Sequence, residues 1–446
     1  MKKSIKKIVS LTKRKGFVFP SSMIYGGFSS TYDFGPRGVM LKNKLKDSWW
    51  KEMTRRQSDV VGLDSSIIMN PDIWRASGHL SKGFADKLSE CKECHKRFKD
   101  LEEDGESIKK CPECGGKLME PRDFNLMMKT FVGPVESEAA TAYLRAETCQ
   151  GIFVNFKNVM DSMRVDLPFG IAQIGKSFRN EITPGNFIFR MREFEQMEMQ
   201  WFCKQKEADD FFEKWLKRRF EWYERMGIDM SKLRKNEIGE KERAHYAQRQ
   251  VDIEYEFPFG WGEIEGIHNR GDWDLSNHSE HGEEDFSVDG DYPWVIETSV
   301  GVERCFLAFL VDSYDELEEG RSSDADKKET VLRLHRKLSP TQVAVFPLIK
   351  KEEDLVKKAE KIFDDLKVDF DAIYDETGSI GKRYRRQDEV GTPLCVTVDF
   401  DSLEDDSVTL RERDSMDQIR VDIDDLKNVV DQFLKGADFH SLGEKV

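Results

Sequence analysis

Phe178-Arg179-Asn180-Glu181 is followed, eight residues after Glu181, by Phe189-Arg190-Met191-Arg192-Glu193-Phe194, and the reading of this stretch decides the fold. Short apolar or alternating runs between Ile171 and Phe202, punctuated by Gly175, Pro184 and Gly185, predict two strands joined by a loop. The polar and charged residues gather around that loop. Both arginine-bearing runs would therefore stand on one wall, where guanidinium forks suit a polyphosphate.

Toward the C-terminus, Tyr292 to Ile296 reads as a buried strand and Cys305 to Val311 as an apolar helix. Between them lie Glu297, Thr298, Ser299, Val300, Gly301, Val302, Glu303 and Arg304, at a strand-to-helix junction where an anion meets both Arg304 and a helix N-terminus. A carboxylate such as Glu297 can share Mg²⁺ with phosphate oxygens. Residues 207–250, with eleven Lys or Arg, read as a helical insertion, and strands are expected at Ile253 to Phe257 and Trp261 to Ile267. On the N-terminal side, a basic amphipathic stretch leads through a turn region (Tyr25 to Ser30) into a helical pattern from Val39 to Met53. A strand at Ile67 to Met69 then ends at Pro71.

Residues 85–120 change character, being polar and rich in Lys and Glu. Cys91-x2-Cys94 and Cys111-x2-Cys114 form two turns that can each offer two thiolates to one tetrahedral Zn²⁺. Four thiolates leave no open position for water, so such a metal is structural. The other four cysteines (Cys149, Cys203, Cys305, Cys395) are scattered singly among apolar segments and exclude a disulfide scaffold.

A chain of 446 residues exceeds one ordinary core, and two or three domains are expected. The net charge of −15 rules out a whole-protein basic field as the means of attracting RNA, so any nucleic-acid contact is local. No apolar run approaches membrane-spanning length, and the expectation is a soluble cytoplasmic protein. Residues 312–329 are acidic and suit a linker. Val343 to Leu348, Glu352 to Leu366, Phe370 to Tyr374 and Leu394 to Asp399 then alternate as strand and helix, implying a separate α/β domain. Within it, Lys382, Arg383, Arg385 and Arg386 surround Tyr384, a pattern that suits phosphate contact and base stacking on single-stranded RNA. The histidines His245, His268, His278 and His281 are not spaced as metal pairs with cysteines and read as structural or solvated.

Taken singly these charges would be solvated faces. Together, Arg179-x-Glu181 followed by Arg192-Glu193-Phe194 resembles the second signature of the class II aminoacyl-tRNA synthetases, Gly301-x-x-Arg304 the third, and Pro71 after its helix and strand the first. Arg145-Ala146-Glu147-Thr148-Cys149-Gln150-Gly151 and Phe194-Glu195-Gln196-Met197-Glu198 resemble the glycyl-tRNA synthetases of that class, as do Phe17 to Gly35, Ser77-Gly78-His79 and Ser379 to Phe400. The chain departs from the family pattern at Ala146, at Cys149 and over Arg97 to Asp100.

The resemblance implies an α+β fold. An antiparallel sheet flanked by helices would form a catalytic domain of residues 1–84 and 121–320, with the helical insertion 207–250 inside it. A zinc-ribbon-like insertion would span 85–120, a linker 321–337 and a C-terminal α/β anticodon-binding domain 338–446. It implies ATP and Mg²⁺ at the active site, structural Zn²⁺, glycine and its cognate tRNA as partners, and a homodimer.

Catalytic roles fall by resemblance to Arg179, Arg304 and Glu297. ATP contacts fall to Arg179, Asn180, Glu181, Phe189, Arg190, Met191, Arg192, Glu193, Phe194, Glu263, Ile264, Gly301, Val302, Glu303 and Arg304. Glycine contacts fall to Glu147, Phe194, Glu195, Gln196, Met197, Glu198, Glu297, Thr298, Ser299, Val300 and Gly301, with Arg270 and Lys99 beside them. Two rival readings stay open: a synthetase-like protein that no longer charges tRNA, whose mark would be loss of an ATP-site arginine, and a zinc-ribbon RNA-binding protein on a synthetase scaffold. Arg179, Arg190, Arg192 and Arg304 are all present.

Overall fold

The computed structural model describes residues 4–80, 84–99, 108–182, 185–244, 246–321 and 328–446. Asp100, Pro184 and His245 lie outside the described residues.

A seven-stranded sheet carries the centre of the molecule. In chain order its strands are β1 (Val60–Gly62), β2 (Phe169–Phe178), β3 (Glu193–Cys203), β4 (Leu233–Glu237), β5 (Arg249–Phe257), β6 (Gly260–Gly271) and β7 (Trp294–Gly301). The spatial order is β4-β5-β6-β7-β3-β2-β1, antiparallel throughout except for the parallel β2–β1 pair. The two strands expected around the arginine loop are thus β2 and β3, paired from Phe169–Phe202 to Phe178–Glu193.

Strand periodicity sorts the signature residues. On β3, Met197, Met199 and Trp201 are buried in the hydrophobic core, while Phe194, Gln196 and Glu198 stand on the opposite face and line a cleft. On β7, Ile296 and Val300 enter the core, whereas Glu297, Ser299 and Gly301 face the cleft. Helices α1 (Pro36–Trp50), α2 (Ala208–Arg225) and α3 (Val302–Ser313) contribute Leu41, Leu45 and Trp49, Phe212, Trp215 and Trp222, and Phe306 to Leu310 to the same core. Because α3 is buried on nearly every side, its sequence is apolar all round.

Two elements depart from the expectation. Only Ala208–Arg225 of the segment 207–250 is α-helical; Leu233–Glu237 is the edge strand of the sheet. Its eleven Lys or Arg stand beside ten Asp or Glu, so it is no basic patch. The acidic stretch 312–329 begins within α3 and continues as a two-stranded ribbon of Tyr314–Leu317 against Glu329–Leu332. Pairing of Lys328 with Glu318 and of Arg321 with Glu329 offsets charge that the composition assigned to a linker.

The paired cysteines sit on a three-stranded sheet in which Ala85–Glu90 lies between Arg97–Lys99 and Arg122–Asn125. C-terminally, β8 (Val343–Pro347), β9 (Ala372–Tyr374), β10 (Leu394–Val398), β11 (Ser407–Glu412), β12 (Gln418–Asp422) and β13 (Glu444–Lys445) form a second sheet in the order β9-β8-β10-β11-β12-β13. Helices α4 (Glu353–Leu366), α5 (Ile380–Asp388) and α6 (Leu426–Lys435) belong to this part of the chain, and it has a hydrophobic core of its own. The alternation read from the sequence reproduces its first half and stops short of β11, β12 and α6.

Candidate active site

The cleft runs over the sheet face that carries Glu198 and Ser299, and its lining includes Glu147, Arg179, Glu181, Phe189, Arg190, Phe194, Gln196, Glu263, His268, Glu297, Gly301 and Arg304. Its floor and its mouth are built differently.

The floor holds three buried carboxylates, Glu147, Glu198 and Glu297. Glu198 accepts from Ser299 Oγ at 2.6 Å, from Gln196 Nε2 at 2.9 Å and from the Thr148 hydroxyl. Burial, with Glu297 and Glu147 close by, outweighs those donors and pushes its carboxyl up to about 7. Glu297 is the opposite case. Its Oε2 accepts from Arg270 Nη1 at 3.0 Å and Gln200 Nε2 at 2.7 Å, and His268 Nδ1 lies 2.7 Å from Oε1. Burial alone would raise it, but Arg270 and then His268 hold it down at about 2. Arg270 is itself clamped by two bonds to Asp274, of 2.6 and 2.9 Å, and lies over the Tyr246 ring at 3.7 Å.

Local sequence explains the stretch Arg145 to Gly151. Arg145 is a brace: its Nε donates to Lys176 O at 2.6 Å and its Nη1 to Ser65 O at 2.8 Å. A Cβ on Gly175 would lie 2.0 Å from the Arg145 guanidinium, so that brace requires glycine opposite it. Glu147 faces the cleft, Thr148 holds Glu198, and Gln150 Nε2 reaches Glu147 at 3.0 Å. Gly151 packs so closely on Ser65 that a Cβ would sit 1.9 Å from its hydroxyl.

At the mouth, the Arg179 guanidinium lies between the Phe84 and Phe194 rings, 5.4 Å from each, and donates to Ala146 O at 3.1 Å. Arg304, in the first turn of α3, stacks on Phe189 at 4.5 Å and pairs with Glu263 at 2.9 Å. The exposed Arg190 side chain has no partner among the described residues. Three guanidinium groups thus border one opening, beside a helix N-terminus capped by Gly301.

Several residues expected at the site stand elsewhere. Arg192 is spent on the backbone, donating to Glu181 O and Ser29 O, and ties the arginine loop to the N-terminal turn region. Glu195 and Glu303 hold the buried Lys42 at 2.8 and 2.6 Å, behind the wall, although Glu303 also borders the cleft. Met197, Val300, Ile264 and Val302 are core residues, and Thr298 is fully buried. Asn180 donates its backbone N–H to Leu126 O at 2.8 Å, and Glu193 pairs with Lys176. Lys99 pairs with Asp86 at 2.7 Å, outside the cleft lining. The physical reason is common to most: a contiguous motif on a strand presents only every second side chain to one face.

Other residues at the floor escaped the sequence reading. His268, taken there as structural or solvated, lines the cleft as a buried partner of Glu297, whereas His278, buried with its Nε2 2.8 Å from Gln150 Oε1, is structural as read. The available signal was the alternation Gly266, His268, Arg270 along β6.

The four cysteine Sγ atoms lie within 4.8 Å of one another, with Cys91–Cys114 at 3.5 Å and Cys94–Cys111 at 3.6 Å. Tetrahedral Zn²⁺ at ~2.3 Å from each sulfur requires sulfurs about 3.8 Å apart, so the four thiols fit that ion. Gly115 takes φ +75° and His95 φ +55°, each closing the turn after its cysteine pair.

In the C-terminal domain Arg383 is corrected from RNA contact to structure. It is buried and donates to the carbonyls of Pro347 and Leu348. Arg386 pairs with Asp375 at 2.6 Å, leaving Lys382 and Arg385 of the four cations without an ion pair among the described residues.

An antiparallel sheet with arginines on a strand-loop-strand unit, a carboxylate floor and a following buried helix defines a class II tRNA synthetase. Residues 134–314 match the tRNA synthetase class II core domain (G, H, P, S and T), and residues 342–433 match an anticodon binding domain. The chain is 51% identical to the glycine–tRNA ligase of Treponema denticola over 94% of both chains. It is 50% identical to that of Caldanaerobacter subterraneus subsp. tengcongensis over 98% of this chain and 99% of the relative. For Borreliella burgdorferi the identity is 50%, over 95% of this chain and 96% of the relative. The chain belongs to the glycine–tRNA ligase family.

Proposed function

We propose that this chain charges tRNA with glycine in two steps inside the cleft. A glycine carboxylate oxygen attacks the α-phosphorus of ATP and pyrophosphate leaves; a terminal ribose hydroxyl of tRNA then attacks the glycyl carbonyl and AMP leaves. The observation that carries the assignment of roles is the joining, in one cleft, of a buried carboxylate floor to a mouth of three arginines.

Glu147 and Glu198, with Ser299 beside them, receive the glycine ammonium, and two charge-assisted contacts of about 1.5–3 kcal/mol each suit a ligand with so few handles. Arg179 stabilises charge on the α-phosphate, Arg304 and Arg190 take the outer phosphates, and Phe194 stacks on adenine. The nucleophile is already ionised, so positioning and electrostatics supply the acceleration without a general base. Glu297 is engaged by Arg270, Gln200 and His268. Glu263, half exposed and with Arg304 as its one ion-pair partner among the described residues, is therefore the better carboxylate to share Mg²⁺ with ATP.

Structural Zn²⁺ on Cys91, Cys94, Cys111 and Cys114 is supported by their spacing, and a thiolate site fits the reducing cytoplasm. No helix among the described residues is long and apolar enough to cross a membrane. Lys382 and Arg385 are the cations offered to tRNA. A homodimer is supported by exposed apolar side chains in the N-terminal turn region, with Ile24 and Tyr25 each 87% exposed. The test is ATP–pyrophosphate exchange with each of the twenty amino acids on the purified chain with Mg²⁺. Exchange with glycine alone is expected; exchange with none, from folded protein, would favour an RNA-binding role without activation.

A further inference from the structure

Glu147 is held from behind. Its Oε1 accepts from Gln150 Nε2 and Cys149 Sγ, both at 3.0 Å, and lies 3.3 Å from His79 Nε2, while its Oε2 has no partner among the described residues. The buried His79 ring packs against Trp74 and Phe84, with centroids at 5.2 and 4.6 Å, and its Nδ1 lies 2.8 Å from Ser77 Oγ. With the serine hydroxyl donating to Nδ1, the proton of a neutral ring sits on Nε2, facing Glu147. The His79 carbonyl is held in turn by Asn125 Nδ2 at 2.8 Å, from the strand that closes the cysteine-bearing insertion. Burial would raise the Glu147 carboxyl, but His79 and then Arg270 hold it well below the usual carboxylate range.

We propose that His79 is a positioning residue for glycine: its Nε2, aimed by Ser77, fixes one oxygen of Glu147 and leaves the other as the anionic acceptor of the substrate ammonium. This rests on the reading of Glu147 as an ammonium receptor. His79 touches no substrate and acts only through Glu147. The motif Ser77-Gly78-His79 thereby gains a physical role at the floor of the cleft.

The test is ATP–pyrophosphate exchange by the full-length chain, with glycine and ATP varied separately. His79→Phe keeps a ring and removes the donor; a rise in glycine KM of about tenfold, with ATP KM within about twofold, is expected for a lost charge-assisted contact. His79→Gln restores a donor and should recover most of the loss. In a Glu147→Gln background, His79→Phe should add less than about twofold, because the two side chains act as one unit. If Glu147→Gln raises glycine KM and His79→Phe does not, the role of His79 is overturned and the reading of Glu147 stands. An unchanged glycine KM in Glu147→Gln overturns both. Should His79→Phe fail to fold, Ser77→Ala keeps the ring and is expected to raise glycine KM alone by about threefold; no change there overturns the proposal.

Discussion

The floor and the mouth of the cleft solve opposite problems. At the floor nearly every polar atom is committed before substrate arrives: Glu297 is engaged by Arg270, Gln200 and His268, and Glu198 by Ser299, Gln196 and Thr148. At the mouth Arg190 has no partner among the described residues and Arg304 is shared with a half-exposed glutamate. A small ligand brings few contacts with which to organise a site, so its receptor is built in advance on paired strands. A nucleoside triphosphate brings charge enough to complete the partners of the mouth's arginines itself.

The largest effect is expected where the two regions meet. Arg179→Ala should lower the rate of glycine activation by about 10²–10³-fold, since it removes charge stabilisation at the reacting phosphorus. A loss under about fivefold in single-turnover adenylate formation would place the reacting phosphate elsewhere.

Glu198 tests the prebuilt floor. Glu198→Gln should raise glycine KM by about 10–100-fold, the value of one charge-assisted contact, and change ATP KM little. The wild-type carboxyl, pushed up to about 7, is neutral below that pH, so glycine KM should climb as pH falls through 7 and the climb should vanish in Glu198→Gln. The sign for stability is reversed. A carboxyl raised on folding binds its proton more tightly in the native state, so its contribution is fully present below the unfolded value and is lost as pH rises through about 7. Glu198→Gln should melt higher than wild type at pH 8, and the difference should vanish below the unfolded carboxyl value, at about pH 4. A lower melting temperature at pH 8 would show that the carboxylate is welcome in the empty floor.

Arg190→Ala probes the looser mouth and should raise ATP KM by about three- to tenfold while leaving glycine KM alone. The smallest effect is expected from the insertion. Chelation, or Cys111→Ser, should release about one zinc per chain, measured by atomic absorption. It should lower activation only a few-fold, through the contacts that Leu126 makes with Asn180 and Phe84. Full loss of the floor on zinc removal would erase the distinction between the two regions.

Much of this was legible because it is local. The two cysteine pairs, the loop flanked by Arg179 and Arg192, and the apolar run of α3 each carry their physics in short-range spacing, and the first α/β units of the C-terminal domain follow from alternation and length. Where the reading failed, two strand faces had been taken for one: Glu195, Met197, Thr298 and Val300 belong to quoted motifs yet lie behind the wall. Arg383 was read as a free cation because a charge run does not reveal which member turns inward to cap carbonyls.

The sequence by itself determined the family, the metal-binding spacing and the residues able to carry charge, because residue types and short spacings are properties of the chain alone. Only the tertiary structure decided which of those charges face one another. His79, Glu147, Glu198, His268 and Glu297 come from five separate segments, and the charge on the three carboxylates depends on burial and on neighbours as far as Glu147 and Glu297 are from each other in the chain. Burial and proximity arise when the strands pair, and the floor of the cleft exists only then.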